Sequence, residues 1–217
     1  MDRDTIWGHI HHERASLAAA LRTLTPEQWN HDSLCAGWTV KDVAAHVIST
    51  PQLGLGRTMG LFLRNVGRGY NTMIFRETKR MAERQTTEQI LADYEIYASS
   101  RKKVATTTTV EPLIDALVHH QDIVRPLGLR HDMDPAAAAV AADRVRALAP
   151  LMGTRRLKKS VRMVATDIDW DRGKGPVVAG PMQELLMLGS GREPVLSGLS
   201  GDGVDVLQAT LRAQHSP

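Results

Sequence analysis

Apolar residues recur at three- and four-residue spacing along most of the chain, the period of a helix with one buried face. Ile6, Ile10, Leu17, Leu21 and Leu24 predict a first helix over residues 6–24. Thr25-Pro26-Glu27-Gln28 reads as a cap with proline at the first helical position, opening a short turn that holds Trp29. After a polar loop, Thr39 with Asp42 three residues on has the form of a capping box. Val40, Val43, Ala44 and Val47 then make a buried stripe with His46 at its edge, and Pro51 ends or kinks the helix. Residues 53–84 carry an apolar pattern diluted by Gly54, Gly56, Gly60, Gly67 and Gly69, which predicts irregular helices. A further helix is expected from Thr87 to about Val104, and another from Glu111-Pro112 to Arg125, stopped by Pro126 and Gly128.

Beyond His131 the pattern changes. Pro135–Leu151 is an alanine-rich helix, and Val161–Trp170 is the best strand, with Val164, Thr166, Ile168 and Trp170 alternating with Ala165, Asp167 and Asp169. Gly173-Lys174-Gly175-Pro176 is a turn, Val177–Ala179 a short strand, and Pro181–Leu188 and Asp202–Arg212 are helices. The expectation is a mainly α protein: a helical bundle over residues 1–131 and a small α+β domain over 132–217.

Composition narrows the function classes. The 217 residues are 42% hydrophobic and 24% charged, ordinary for a globular protein, and aromatics are scarce at 4%. Net charge is +3. The one basic run, Arg155-Arg156-Leu157-Lys158-Lys159, has no interleaved aromatics and reads as a solvated loop, so a nucleic-acid partner is not expected. The single cysteine, Cys35, allows no internal disulfide. With no signal-peptide core and no 18-residue apolar run, a cytoplasmic protein without a membrane partner is expected. Neither Gly67-Arg68-Gly69 nor Gly173-Lys174-Gly175 has the strand–loop–helix setting of a phosphate cradle.

Three residues carry the sharpest chemistry. Asp115 and His119 lie four apart, so a helix stacks them on one face. His46 comes from another helical segment. If the two helices face each other, two imidazoles and a carboxylate converge in the bundle as a divalent-metal site with open positions, suited to zinc or another first-row ion. The spacing is equally that of an Asp115 on an exposed face and a His46 satisfied in the core. His120 points about 100° away from His119 around the helix. Asp122 is a candidate ligand, an acceptor for His119, or a surface partner of Arg125. His9-Ile10-His11-His12 reads as an exposed helix face. Cys35 has no base beside it in sequence and reads as a small buried residue.

The segment Ser33-Leu34-Cys35-Ala36-Gly37-Trp38-Thr39-Val40-Lys41-Asp42-Val43-Ala44-Ala45-His46-Val47 resembles the second-helix signature of the DinB-like superfamily, and more narrowly of the mycothiol-dependent maleylpyruvate isomerase family of actinobacteria. Leu117 to Gly128 resembles that family's second signature, and Asp167–Trp170, Gly175–Pro181 and Gly191-Arg192 resemble its C-terminal domain. The resemblance implies a DinB-like four-helix bundle binding a divalent metal through a histidine, an acidic residue and a histidine, which fall on His46, Asp115 and His119. Zinc is the first expectation, with nickel, manganese or iron as alternatives. The family has glutamate where this chain has Asp115, one methylene shorter. Arg192 corresponds to the catalytic arginine expected of the C-terminal domain.

The implied chemistry is S-transfer, or thiol-assisted isomerisation, of a small electrophile with mycothiol as the thiol, the chain acting as a monomer or homodimer. An arginine, Arg192 or one from residues 57–68, would neutralise developing charge. Two other functions fit the same residues. One is a metal-dependent hydrolase with Asp122 as base. The other is a non-catalytic, metal-stabilised small-molecule-binding protein.

Overall fold

The computed structural model describes residues 1–67, 69–152 and 154–215, with side chains at 55, 57, 61, 62, 70, 151, 152, 193, 194 and 212–215 outside the description. Arg68, the middle residue of the Gly67-Arg68-Gly69 string, therefore lies outside the described residues, as does the Arg57 side chain. The chain divides into two compact units, Met1–His131 and Asp132–Pro217.

The first unit is helical. It contains α1 (Arg3–Leu21), α2 (Pro26–Trp29), α3 (Val40–Ser49), α4 (Leu55–Arg64), α5 (Tyr70–Arg84), α6 (Thr87–Tyr97) and α7 (Val110–Val124), with a 3-10 turn at Thr50–Gln52. Helices α1, α7, α3 and α6 close a four-membered ring, each packed on the next, and α5 lies against α3. The apolar stripes meet in its centre, where Leu17, Leu21, Val43, Ile90, Tyr94 and Ile123 are buried. The Tyr94 hydroxyl donates to the carbonyl of Ala44 at 3.1 Å, so its polar tip is satisfied within the core.

Helix starts follow local chemistry. Thr25, Thr39 and Thr86 each form a capping box, with Gln28, Asp42 and Gln89 as reciprocal partners. The first helix begins three residues earlier than its apolar pattern because Asp2 accepts from the amides of Asp4 and Thr5. Residues 53–84 are more regular than their glycines predict. Gly69 caps α5 and Gly67 takes a left-handed φ of 81° in the connection, while Gly56 and Gly60 sit inside α4 with open space around them. Helix α6 stops at Tyr97, short of the expected Val104.

The second unit contains α8 (Pro135–Met152), α9 (Arg155–Ser160), β1 (Arg162–Ala165), β2 (Asp171–Gly173), β3 (Val177–Gly180), α10 (Met182–Gly189), a 3-10 segment Glu193–Gly198 and α11 (Gly203–His215). The sheet order is β2-β1-β3, with β1 antiparallel to β2 and parallel to β3. Buried Ala137, Ala138, Ala141 and Ala142 make α8 thin on the face that α10 packs against. The fold is thus mainly helical, a helical bundle followed by a small α+β unit.

Two expectations for the second unit are corrected. The basic run Arg155–Lys159 is helical, not a loop, because Leu157 anchors it in the core. The long strand 161–170 is a short strand, a turn and the approach to a second strand. Trp170 donates its amide to Ile168 and accepts from Ala165, folding the chain back, while the Asp167 carboxylate accepts the amide of Met182. The alternation of a hairpin imitated that of one continuous strand.

A buried polar cluster ties α1 to α7 and to the end of the first unit. Glu13 Oε2 lies 3.2 Å from His120 Nδ1 and 2.8 Å from His131 Nε2. Burial raises the Glu13 carboxyl, but the bonds from the two imidazoles outweigh it and bring the group down to about 2. A carboxylate depressed in the folded state stabilises it above its ordinary value near 4.5, and that contribution is lost as pH falls through about 2. The contribution is roughly 3 kcal/mol. In chelator-treated protein, Glu13→Gln is expected to be less stable than wild type by that amount at pH 6. The gap should close almost fully by pH 2, as read by urea midpoints. A gap unchanged between the two pH values would contradict the assignment.

Candidate metal centre

The loop before α3 sets the site. The Ser33 amide and hydroxyl both donate to the carbonyl of Trp38, at 2.9 and 2.8 Å, and the Trp38 amide donates to Cys35. This tight turn requires Gly37 at φ 76°, where a Cβ would also press on the Phe75 ring at 3.1 Å. The Leu34 amide donates to the carbonyl of Asp122, pinning the loop to α7.

Helices α3 and α7 then bring His46 and His119 together, their rings edge to face with centroids 5.1 Å apart. Asp115 completes the group: one ligand atom from each of His46, Asp115 and His119 lies within 4.8 Å of the others. All three are half-buried. The shorter side chain of Asp115 still brings a carboxylate oxygen within that distance of both rings, and it is half-buried rather than exposed.

Each imidazole is held through its outer nitrogen. His46 Nδ1 lies 3.3 Å from the Thr78 hydroxyl of α5, and His119 Nδ1 lies 2.8 Å from Asp122 Oδ2. Both rings therefore keep Nε2 as the free donor, the arrangement in which a carboxylate or hydroxyl behind a ligating ring fixes its tautomer and aim. Trp38 walls one side, 5.1 Å from His46 and 6.3 Å from His119 between centroids, with Phe75 beyond it at 6.5 Å.

The electrostatics suit a cation. Burial, with help from the charge of His119 and against the pull of Asp115, pushes His46 down to about 4, so it is neutral and its lone pair available. At His119 burial also works downward, but the bonds to Asp122 and Cys35 overcome it and bring the ring up to about 10. Without a metal the positive charge this pocket favours is a proton on His119. The donor set, two imidazoles and one carboxylate, is that of catalytic zinc and related divalent ions.

Of the three roles expected for Asp122, acceptor for His119 holds: the residue is fully buried and its carboxylate orients the ring, while Arg125 Nε donates to Gln121 at 2.6 Å. The expectation for Cys35 fails. Cys35 does have polar neighbours: its thiol donates to Asp122 at 3.1 Å and its sulfur lies 3.7 Å from His119 Nδ1. No local motif signals this, because the partners are 84 and 87 residues away. Thr78 and the pair Glu13 and His131 were missed for the same reason. Arg192, in the second unit, donates through Nη1 to the carbonyl of Ser190 at 2.7 Å. Arg64 pairs with Glu77 at 3.5 Å.

Residues 10–95 match the family described as the mycothiol maleylpyruvate isomerase N-terminal domain. Two solved structures share the fold. A histidine-to-alanine variant of a mycothiol-dependent maleylpyruvate isomerase is 11% identical, with a TM-score of 0.60 and 93% of each chain covered. The mycothiol-dependent maleylpyruvate isomerase itself is 13% identical, with a TM-score of 0.55 and the same coverage. No curated protein matches the sequence. Among the described residues, no helix is long and apolar enough to cross a membrane.

Proposed function

We propose that this chain is a thiol-dependent isomerase or S-transferase in which His46, Asp115 and His119 hold one divalent ion, zinc first among the candidates, and mycothiol is the thiol. What supports the reading is the convergence of those three donors, each ring backed by its own hydrogen-bond partner, in a bundle of the fold that the mycothiol-dependent enzymes share. An ion at that position lowers the pKa of a thiol presented to it and so favours the nucleophilic thiolate at neutral pH. The protein's own part is positional. Asp122 and Thr78 hold the rings in the ligating tautomer, and buried Trp38 keeps water from one side of the donors. Arg192 is the proposed cation for charge that develops on the electrophile, a role carried by the family resemblance.

Asp122 is engaged by a ligand ring and by the Cys35 thiol, which favours orientation over the base that a hydrolase would need. The test is turnover. Zinc-loaded protein with mycothiol and a panel of small electrophiles, including activated cis double bonds, is expected to consume or isomerise at least one, at a rate absent from chelator-treated protein. Equal rates with and without the ion would sink the proposal.

A further inference from the structure

We infer that Glu13, His120 and His131 form a second divalent-cation site in the first unit, separate from the donors of His46, Asp115 and His119. The inference does not depend on the proposed function. One ligand atom from each residue lies within 4.8 Å of the others, with Glu13 and His120 buried and His131 half-buried. A tetrahedral ion with bonds of about 2.1 Å has donor–donor edges of about 3.4 Å. The two nitrogen–oxygen separations, 3.2 and 2.8 Å, are close to that edge, so these two edges need widen only slightly to admit an ion.

The cluster is also built as ligand sites are built. The His120 and His131 rings stack at 3.6 Å with an interplanar angle of 18°, and each places one nitrogen against Glu13 Oε2. His131 is positioned by its backbone: its carbonyl accepts from Gln121 Nε2 at 2.7 Å, and the Gln121 oxygen accepts from Arg125 Nε at 2.6 Å. Imidazole and carboxylate select a first-row divalent ion, zinc above calcium or magnesium. Such an ion would clip the segment after α7 to α1.

The experiment is zinc titration of the full chain after chelation, with bound metal counted by elemental analysis. Wild type is expected to hold two ions per chain, His46→Ala one, His131→Ala one, and the double variant none. In the His46→Ala background, His131→Gln should weaken the remaining site about tenfold or more while keeping a hydrogen-bond donor for Glu13 and the helical circular dichroism of the parent. Loss of all bound zinc on His46→Ala alone overturns the inference, as does retention of one ion in both double variants. Failure of the first site has a different signature, a His46→Ala protein that binds as much zinc as wild type.

Discussion

His46→Ala is expected to remove one ion per chain and, with it, thiol turnover. The ring is one of three donors and the only one from α3, so its loss leaves Asp115 and His119 on a single helix. Removing a group that merely orients a ligand costs 10–100-fold in affinity as an order of magnitude, and removing a ligand costs more. At micromolar zinc the variant's site should be empty. Elemental analysis and the mycothiol assay read the two effects together. The fold should survive, since His46 lies at the edge of the stripe formed by Val40, Val43, Ala44 and Val47, all of them buried. A variant that keeps its ion count and its rate would end the metal reading of this group.

Asp122→Asn is expected to weaken zinc binding by about 10–100-fold without removing any ligand. The amide preserves volume at a position with no exposure, but it offers either a neutral oxygen or an N–H to His119 Nδ1. In the first case the bond loses its charge; in the second the ring is driven to the tautomer that carries its proton on Nε2 and has no lone pair there for an ion. The same change removes the main cause of the high His119 value. Its proton should then come off well below the present pH of about 10, which ring-proton NMR of chelated protein would register. Zinc competition against a chromophoric chelator gives the affinity. Unchanged affinity together with an unchanged titration would show that Asp122 does not hold the ring.

The helices were legible where apolar spacing and a cap agreed. Thr39 with Asp42 placed α3 to the residue, and Pro126 and Gly128 placed the end of α7. The glycine-bearing α4 and α5 were not, since propensity argues against helices that packing on α3 supports. The strand at 161–170 misled because a hairpin and a single strand share a period of two. In the site, Asp115 and His119 were readable as neighbours because four residues make one turn. Nothing in a single sequence pairs Cys35 with Asp122, Thr78 with His46, or Glu13 with His131: those contacts depend on which helix lies beside which. Glu13 in particular follows a histidine-rich string that looks solvated, yet it is buried, as are Ile10 and Arg14.

Adjacent His119 and His120 give α7 two opposed obligations. One imidazole must meet α3 and the other must meet α1, about 100° further round the same cylinder. A roll of the helix that shortened either reach would lengthen the other, so its angular setting is fixed from both flanks. Repacking on the α1 side should therefore be felt by the His46 group as a change in ligand alignment, although no atom of Glu13 belongs to it.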